Sequence, residues 1–444
     1  MIRISAGLGL AAMLLAAPAR GQALPKANLV FEPFKPTGIY AIGERAGWTV
    51  HSLMGNGYTR YNYEIRENNL KILKSGVLDL TSGEGTLEVT LDHPAMIYAR
   101  LSFIGAPEPA AAPTPQELDK LTVGAAIAPE QIAVSLASKP ADFDAFWAAK
   151  LKALAKVPMN PKLEAQATDV PGIALSALTL DSLDSQMHGY LAAPKDGGKH
   201  PALIYYQYAG VYPLQKSLVT DRAAEGWLTL DVDSHDMPPD KATAPKDYAR
   251  LGDTDRRTSY FLNMYLRDSR ALDYIRSRPD WDGRTIVLSG MSMGGMQSLA
   301  TAGLNPGKVT AIVINVPAGT DIAADLHGSR RGYPNWDIGD PRVAETARYF
   351  DVMNFAPTIT AKSLLAFGFI DTTSPPFGVW STFNRIKGPK EAVPMPESDH
   401  NNITPQKEGA YFIRLKQALD SLRETGDFPL RSDWDTVPPP RLTP

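Results

Sequence analysis

The stretch Thr285-Ile-Val-Leu-Ser-Gly290-Met-Ser292-Met-Gly294-Gly295 carries the decisive pattern of this chain. A short apolar run ends in Gly-x-Ser-x-Gly, and Gly295 to Ala302 continues as a helix. A strand that turns at once into a helix leaves the serine on a strained corner with its hydroxyl projecting. The flanking glycines let neighbouring backbone approach where a Cβ would collide, and the helix N-terminus favours developing negative charge. A glycine-rich loop without chemistry would look similar, so the surroundings must supply a base and an acid. Phosphate-binding readings fail: no Gly-Lys-Ser/Thr follows the glycines, and no Gly-x-Gly-x-x-Gly sits at a first strand.

Around this motif, strand and helix signals alternate. Ala202 to Tyr206, Trp227 to Asp233, Val309 to Asn315, Ser363 to Ile370 and Glu391 to Met395 read as strands. Residues 260 to 277 and Tyr411 to Leu422 read as helices, and Asp142 is placed to cap a helix running through Phe143, Trp147, Leu151 and Leu154. Such alternation predicts an α/β fold with a mostly parallel sheet covered on both faces.

Seven histidines are available, and only His327 and His400 follow Ser292. When the order is nucleophile, acid, base, the base belongs in the loop between the last strand and the last helix. His400, in Pro396-Glu-Ser-Asp-His, meets that condition; His327 comes too early. The acid should follow a strand between the two. Asp371, directly after Leu364-Leu-Ala-Phe-Gly-Phe-Ile, is the choice over Asp321, Asp325, Asp337, Asp340 and Asp351, while Asp399 is too close to His400 to meet it side chain to side chain. In this reading His400 takes the proton of Ser292 and returns it to the leaving oxygen, with Asp371 holding the imidazole. Two backbone N–H groups should receive the oxyanion. One is that of Met293; the other belongs to the loop Gln207-Tyr208-Ala209-Gly210.

The rest of the chain bounds the setting. It has 444 residues, a formal net charge of −3 and no cysteine, which excludes disulfides, thiolate metal sites and a cysteine nucleophile. No basic cluster points to nucleic acid, no His-Glu-x-x-His to a metal, and no motif to a cofactor. Arg3, the apolar run Ile4 to Ala17 and the sites Ala17-Pro-Ala19 and Gly21-Gln-Ala23 predict a signal peptide over 1–23, hence export without a retained membrane span. Short strand candidates separated by turn residues predict a small β-sandwich over 28–105. An Ala/Pro-rich linker over 106–124, a catalytic domain over 125–430 and a Pro-rich surface tail over 431–444 complete the division.

Three stretches together resemble the acetyl xylan esterase and cephalosporin-C deacetylase family, carbohydrate esterase family seven. They are Pro140-Ala-Asp-Phe-Asp-Ala-Phe-Trp147, Ser289-Gly-Met-Ser-Met-Gly-Gly295, and Phe367-Gly-Phe-Ile-Asp371-Thr-Thr-Ser-Pro-Pro376 followed by Gly388-Pro-Lys-Glu and Asp399-His400. The resemblance implies an α/β-hydrolase fold, removal of acetyl groups from acylated sugars or oligosaccharides, and oxyanion donors at the N–H of Tyr208 and Met293. The chain departs from the family at Met293, where glutamine is usual, and at Asp233-Ser-His235-Asp-Met-Pro238, which stands where the family has Arg-Gly-Gln-Gly. A prolyl-oligopeptidase-like peptidase, a feruloyl-type esterase and a catalytically silent carbohydrate-binding protein remain alternatives, the last with Tyr206, Tyr212 or Trp380 as stacking surfaces. The oligomeric state is not readable.

Overall fold

The computed structural model describes residues 28–53, 57–105, 121–134, 139–401 and 403–438. The expected signal peptide and most of the expected linker lie outside them.

The first part of the chain is two facing sheets. Strands β1 (Leu29–Pro33), β3 (Ala46–Ser52) and β6 (Glu84–Val89) form one; β2 (Ile39–Tyr40), β8 (Thr122–Ile127), β7 (Ala95–Phe103), β4 (Arg60–Glu67) and β5 (Lys71–Asp79) form the other, in that order. Alternate residues of both sheets, among them Trp48, Leu87, Ile65, Ile97 and Ala125, fill one shared core. Asn68 and Asn69 both take positive φ in the β4–β5 turn. The expected boundary is corrected by β8. Its residues pair with β7 across Ala95↔Ile127 to Arg100↔Thr122, so the end of the expected 106–124 linker and the start of the expected 125–430 domain belong to the first sheet pair.

The second part is a nine-stranded sheet ordered β17-β16-β15-β14-β12-β13-β11-β10-β9. Its strands are β9 (Lys162–Gln166), β10 (Ile173–Ser182), β11 (Ser185–Pro194), β12 (His200–Tyr206), β13 (Leu228–Val232), β14 (Trp281–Met291), β15 (Ala311–Asn315), β16 (Lys362–Gly368) and β17 (Lys390–Met395). From β13 to β17 every pairing is parallel; β9, β10 and β11 are antiparallel. The parallel strands are buried on both faces because helices cover both. The helices are α1 (Phe143–Leu154), α2 (Lys216–Ala224), α3 (Tyr260–Ser277), α4 (Met293–Leu304), α5 (Pro341–Phe350), α6 (Pro376–Arg385) and α7 (Pro405–Thr425). Ile204, Leu288, Ile312 and Leu365 pack on one side of the sheet, and Leu203, Val287, Val313 and Leu364 on the other, with α7. This is the α/β-hydrolase architecture.

Two local expectations change. Asp142 makes no capping bond to α1; its carboxylate pairs with Arg256 at 2.9 Å and accepts from the Tyr349 hydroxyl. The tail expected to cross the surface from 431 is tied down at its start: the Arg431 N–H donates to Glu391 at 2.8 Å, and Trp434 lies 5.3 Å from the Trp380 ring. Among the described residues no helix is long and apolar enough to cross a membrane.

Candidate active site

Ser292 sits between β14 and α4 with φ 56° and ψ −118°, a conformation costing an ordinary residue about 1–3 kcal/mol. The surrounding packing enforces it. A Cβ on Gly290 would lie 2.5 Å from the Gly294 carbonyl carbon, and one on Gly294 would lie 2.2 Å from the Tyr206 carbonyl oxygen. The Ser292 N–H donates to Asn315 at the end of β15 (3.1 Å), and its carbonyl accepts from Met296 and Ala318. The side chain is thus held at the C-terminal edge of the parallel sheet, where open α/β sheets place their ligands.

The structure brings Ser292, Asp371 and His400 together. Asp371 follows β16 and is fully buried. Its Oδ1 accepts from the backbone N–H groups of Thr373 (2.8 Å) and Ser374 (2.7 Å), which leaves Oδ2 for His400 Nδ1 at 2.7 Å. On the other side of the ring, Nε2 is 2.8 Å from Ser292 Oγ. Because a carboxylate only accepts, Nδ1 carries the proton and Nε2 is free to accept from the serine hydroxyl. Burial pushes the imidazole toward its neutral form. The Asp371 charge and hydrogen bond outweigh it, with smaller contributions from Glu408 and Asp399, and hold the His400 pKa above its ordinary value.

The other candidates have separate partners. His327 pairs with Asp321 at 2.9 Å, and Asp399 pairs with Lys407 at 3.3 Å. Tyr206 and Trp380 are buried, Trp380 stacked on Phe367 at 4.3 Å. Tyr212 stacks 4.7 Å from the exposed ring of Tyr208.

The loop after β12 is drawn against the start of α4 by the close approach of Gly294 to Tyr206. Gln297 spans the two, donating through Nε2 to the carbonyls of Gln207 (2.9 Å) and Met293 (3.2 Å). No acceptor among the described residues takes the backbone N–H of Tyr208 or of Met293. Behind this loop lies the divergent segment starting at Asp233. Ser234 donates from its N–H to the Gln207 side chain and from its hydroxyl to Gln297. His235 Nε2 is 2.9 Å from the Gly210 carbonyl and Nδ1 is 2.8 Å from the Tyr260 hydroxyl. A carbonyl only accepts, so Nε2 bears the proton and Nδ1 receives the tyrosine's. Burial lowers the His235 pKa to about 4, which keeps it neutral. Met293 points its sulfur at the hydroxyls of Tyr333 (3.2 Å) and Tyr248 (3.5 Å), and Tyr248 also accepts from the Gly210 N–H at 3.1 Å.

Sequence reasoning missed Glu408, on α7. Its carboxylate accepts from the Ser398 hydroxyl and, at 2.5 Å, from Asn315 Nδ2. It therefore fastens the loop that carries His400 to the strand end that also holds Ser292. A helical glutamate eight residues past a histidine carries no signal; its partners are set only by tertiary packing.

The acetyl xylan esterase (AXE1) family matches residues 133–417. The chain belongs to the acetyl xylan esterase family. It is 31% identical over 386 residues to the acetyl esterase Axe7A of Xylanibacter ruminicola, covering 82% of this chain and 84% of that one. The acetyl xylan esterase from Paenibacillus sp. R4 superposes with a TM-score of 0.56 at 26% identity, over 65% of this chain and 98% of that one. Acetyl xylan esterase 1 of Thermoanaerobacterium sp. JW/SL YS485 shares the fold at 22% identity, with a TM-score of 0.55 over 64% and 95% of the two chains. This member of the family is accordingly a carboxylic ester hydrolase, and the two sheets that precede residue 133 lie outside the family match.

Proposed function

We propose that the enzyme removes acetyl groups from acetylated xylan fragments through an acyl-enzyme on Ser292. The observation that carries this reading is the unbroken chain from Asp371 Oδ2 through His400 to Ser292 Oγ, at 2.7 and 2.8 Å. Ser292 Oγ attacks the acetyl carbonyl while His400 Nε2 takes its proton. The tetrahedral oxyanion is received by the N–H groups of Met293 and Tyr208, both without another acceptor among the described residues. His400 then protonates the sugar oxygen as the C–O bond breaks, and a water activated by the same imidazole attacks the acyl-enzyme and releases acetate. Asp371 fixes the tautomer and stabilises the transient imidazolium. Gln297, Ser234 and His235 hold the oxyanion loop.

The substrate side of the reading rests on the family and on the relatives named as acetyl and acetyl xylan esterases. Export is part of it, resting on Arg3 and the apolar run before Ala19 and Ala23; a mature N-terminus at residue 20 or 24 of the natively produced protein is the expected result. The central test is acetate release from acetylated xylo-oligosaccharides by wild type and Ser292→Ala. Wild-type release, reduced in the variant by about 10⁴-fold or more, is expected. Release that survives in Ser292→Ala rules out the acyl-enzyme. Cleavage of p-nitrophenyl acetate alone moves the substrate to other acyl groups.

A further inference from the structure

The outer face of the second N-terminal sheet looks at the acid and base loops. Side chains alternate along its strands. Ile65, Ile97, Ala99, Val123 and Ala125 enter the sandwich core, so Glu64, Arg66, Met96, Tyr98, Arg100, Gly124 and Ala126 face the other way. Met96 and Ala126 join the hydrolase core. Gly124 has no room for a Cβ, which would lie 2.7 Å from Phe369, two residues before Asp371; Gly38 abuts Pro396, four before His400. The Asn68 carbonyl accepts from the Arg330 N–H at 3.1 Å, and Arg330 Nε reaches the carbonyl of Thr372 at 3.4 Å.

Positive charge gathers on this seam. Arg66 is directly across from Tyr98 in the ladder, and Arg100 is two residues along the same face. The charges of Arg100, Arg330, Arg66 and Asp399 all act on the Tyr98 hydroxyl. The nearby carboxylates are already engaged: Glu64 by Arg66 at 2.6 Å, Asp399 by Lys407. Arg100 has no ion pair among the described residues, and its buried Nε has no hydrogen-bond partner. Among the described residues the Arg330 side chain spends one N–H on a carbonyl and none on a carboxylate. A partly buried guanidinium without a partner is costly, and the ligand that satisfies its planar fork is an oxyanion such as a carboxylate.

We propose that Arg100 and Arg330, assisted by Arg66 and the Tyr98 hydroxyl, form a carboxylate-binding subsite beside the active site, which takes the uronic-acid substituent of an acetylated xylan fragment. The sandwich domain thereby supplies specificity for acidic over neutral substrates. The sugar identity rests on the reading given under Proposed function; the carboxylate preference does not.

The test compares two acetylated xylo-oligosaccharides that differ in one group: a glucuronic-acid branch, and the same branch with its carboxyl reduced to an alcohol. Wild type is expected to favour the acidic one in kcat/KM by about tenfold at low salt, one charge-assisted bidentate contact's worth, with the ratio shrinking as salt rises. Arg100→Gln with Arg330→Gln should bring the ratio near one. The ratio cancels any general loss of activity. If the double variant does not fold, Arg330→Gln alone, at an exposed position, must still lower the ratio by about threefold. A wild-type ratio near one, or a ratio unchanged in the variants, overturns the subsite. If neither oligosaccharide releases acetate, the acetyl-xylan reading has failed instead, and the subsite is read by inhibition of p-nitrophenyl acetate cleavage with the deacetylated pair. Inhibition by the acidic member only supports it; equal inhibition or none overturns it.

Discussion

In the proposed mechanism His400 works only as a neutral base, so its raised pKa sets the acid limb of the pH profile. The group is protonated, and idle, below a pKa that Asp371 holds above the ordinary ~6.5. For wild type, kcat/KM on p-nitrophenyl acetate should therefore fall as pH drops through a point above 6.5. Asp371→Asn removes the charge that raises the pKa and leaves burial, which lowers it. The limb should move below 6.5 while kcat falls by ~10⁴-fold, because the amide no longer enforces the tautomer. A limb that stays in place would mean that some other group sets it. Ser292 tests a second property, stored strain. Its φ of 56° and ψ of −118° suit glycine alone. Ser292→Gly should thus be more stable than Ser292→Ala by about 1–3 kcal/mol in urea unfolding, with both inactive. Equal stabilities would show that the corner is unstrained.

Strand ends and helix starts convert these side chains into a site, and here the sequence reveals some elements and hides others. The runs in β12, β14, β15 and β16 stand out because a parallel strand buried on both faces must be continuously apolar. Ser292 and Asp371 follow from them, since each sits just beyond such a strand, and His400 follows from the order and from its loop between the last strand and the last helix. By contrast β5, which turns only Leu73 and Leu78 to the sandwich core, and β9, exposed along almost its whole length, have too little inward face to mark them. Strand β8 escapes for another reason. Its Val-Gly-Ala-Ala run looks like a continuation of the Ala/Pro-rich stretch, whereas Gly124 is pressed by Phe369, Ala125 packs into the sandwich core and Ala126 into the hydrolase core. Gln297 and Glu408 are invisible in sequence because each is defined by partners far along the chain, and of His235 the sequence marks only the divergent segment that carries it. The tightest element contact is Gly294 against the end of β12. Gly294→Ala puts a methyl 2.2 Å from the Tyr206 carbonyl, forcing α4 and the oxyanion loop apart. A stability loss of about 1–3 kcal/mol and a kcat loss of ~10²–10³, the usual cost of one displaced oxyanion donor, are expected. A larger effect on KM than on kcat would place the damage in substrate binding.

The two sheet systems share packed surface rather than a tether. The match to the acetyl xylan esterase family begins at residue 133, so the hydrolase part meets the preceding sandwich across one surface. In this chain the same surface is covered: Ile39, Met96 and Ala126 belong to the hydrolase cluster, and Val134 and Ile132 tie to α6 through Ser381 and Asn384. Apolar area shared in this way couples the stabilities of the two parts. The contact falls on Phe369 and Pro396, the residues leading into Asp371 and His400, so strain at the seam reaches the acid–base pair before the nucleophile. Gly124→Val drives a branched side chain into Phe369 and separates the sheets there. Calorimetry on the full chain should show one transition in wild type, lowered in the variant by the equivalent of about 1–3 kcal/mol. The kcat for p-nitrophenyl acetate should fall with it. Two separate wild-type transitions, or a variant that loses stability while keeping full kcat, would mean that the sandwich rests on the hydrolase without bracing its acid and base loops.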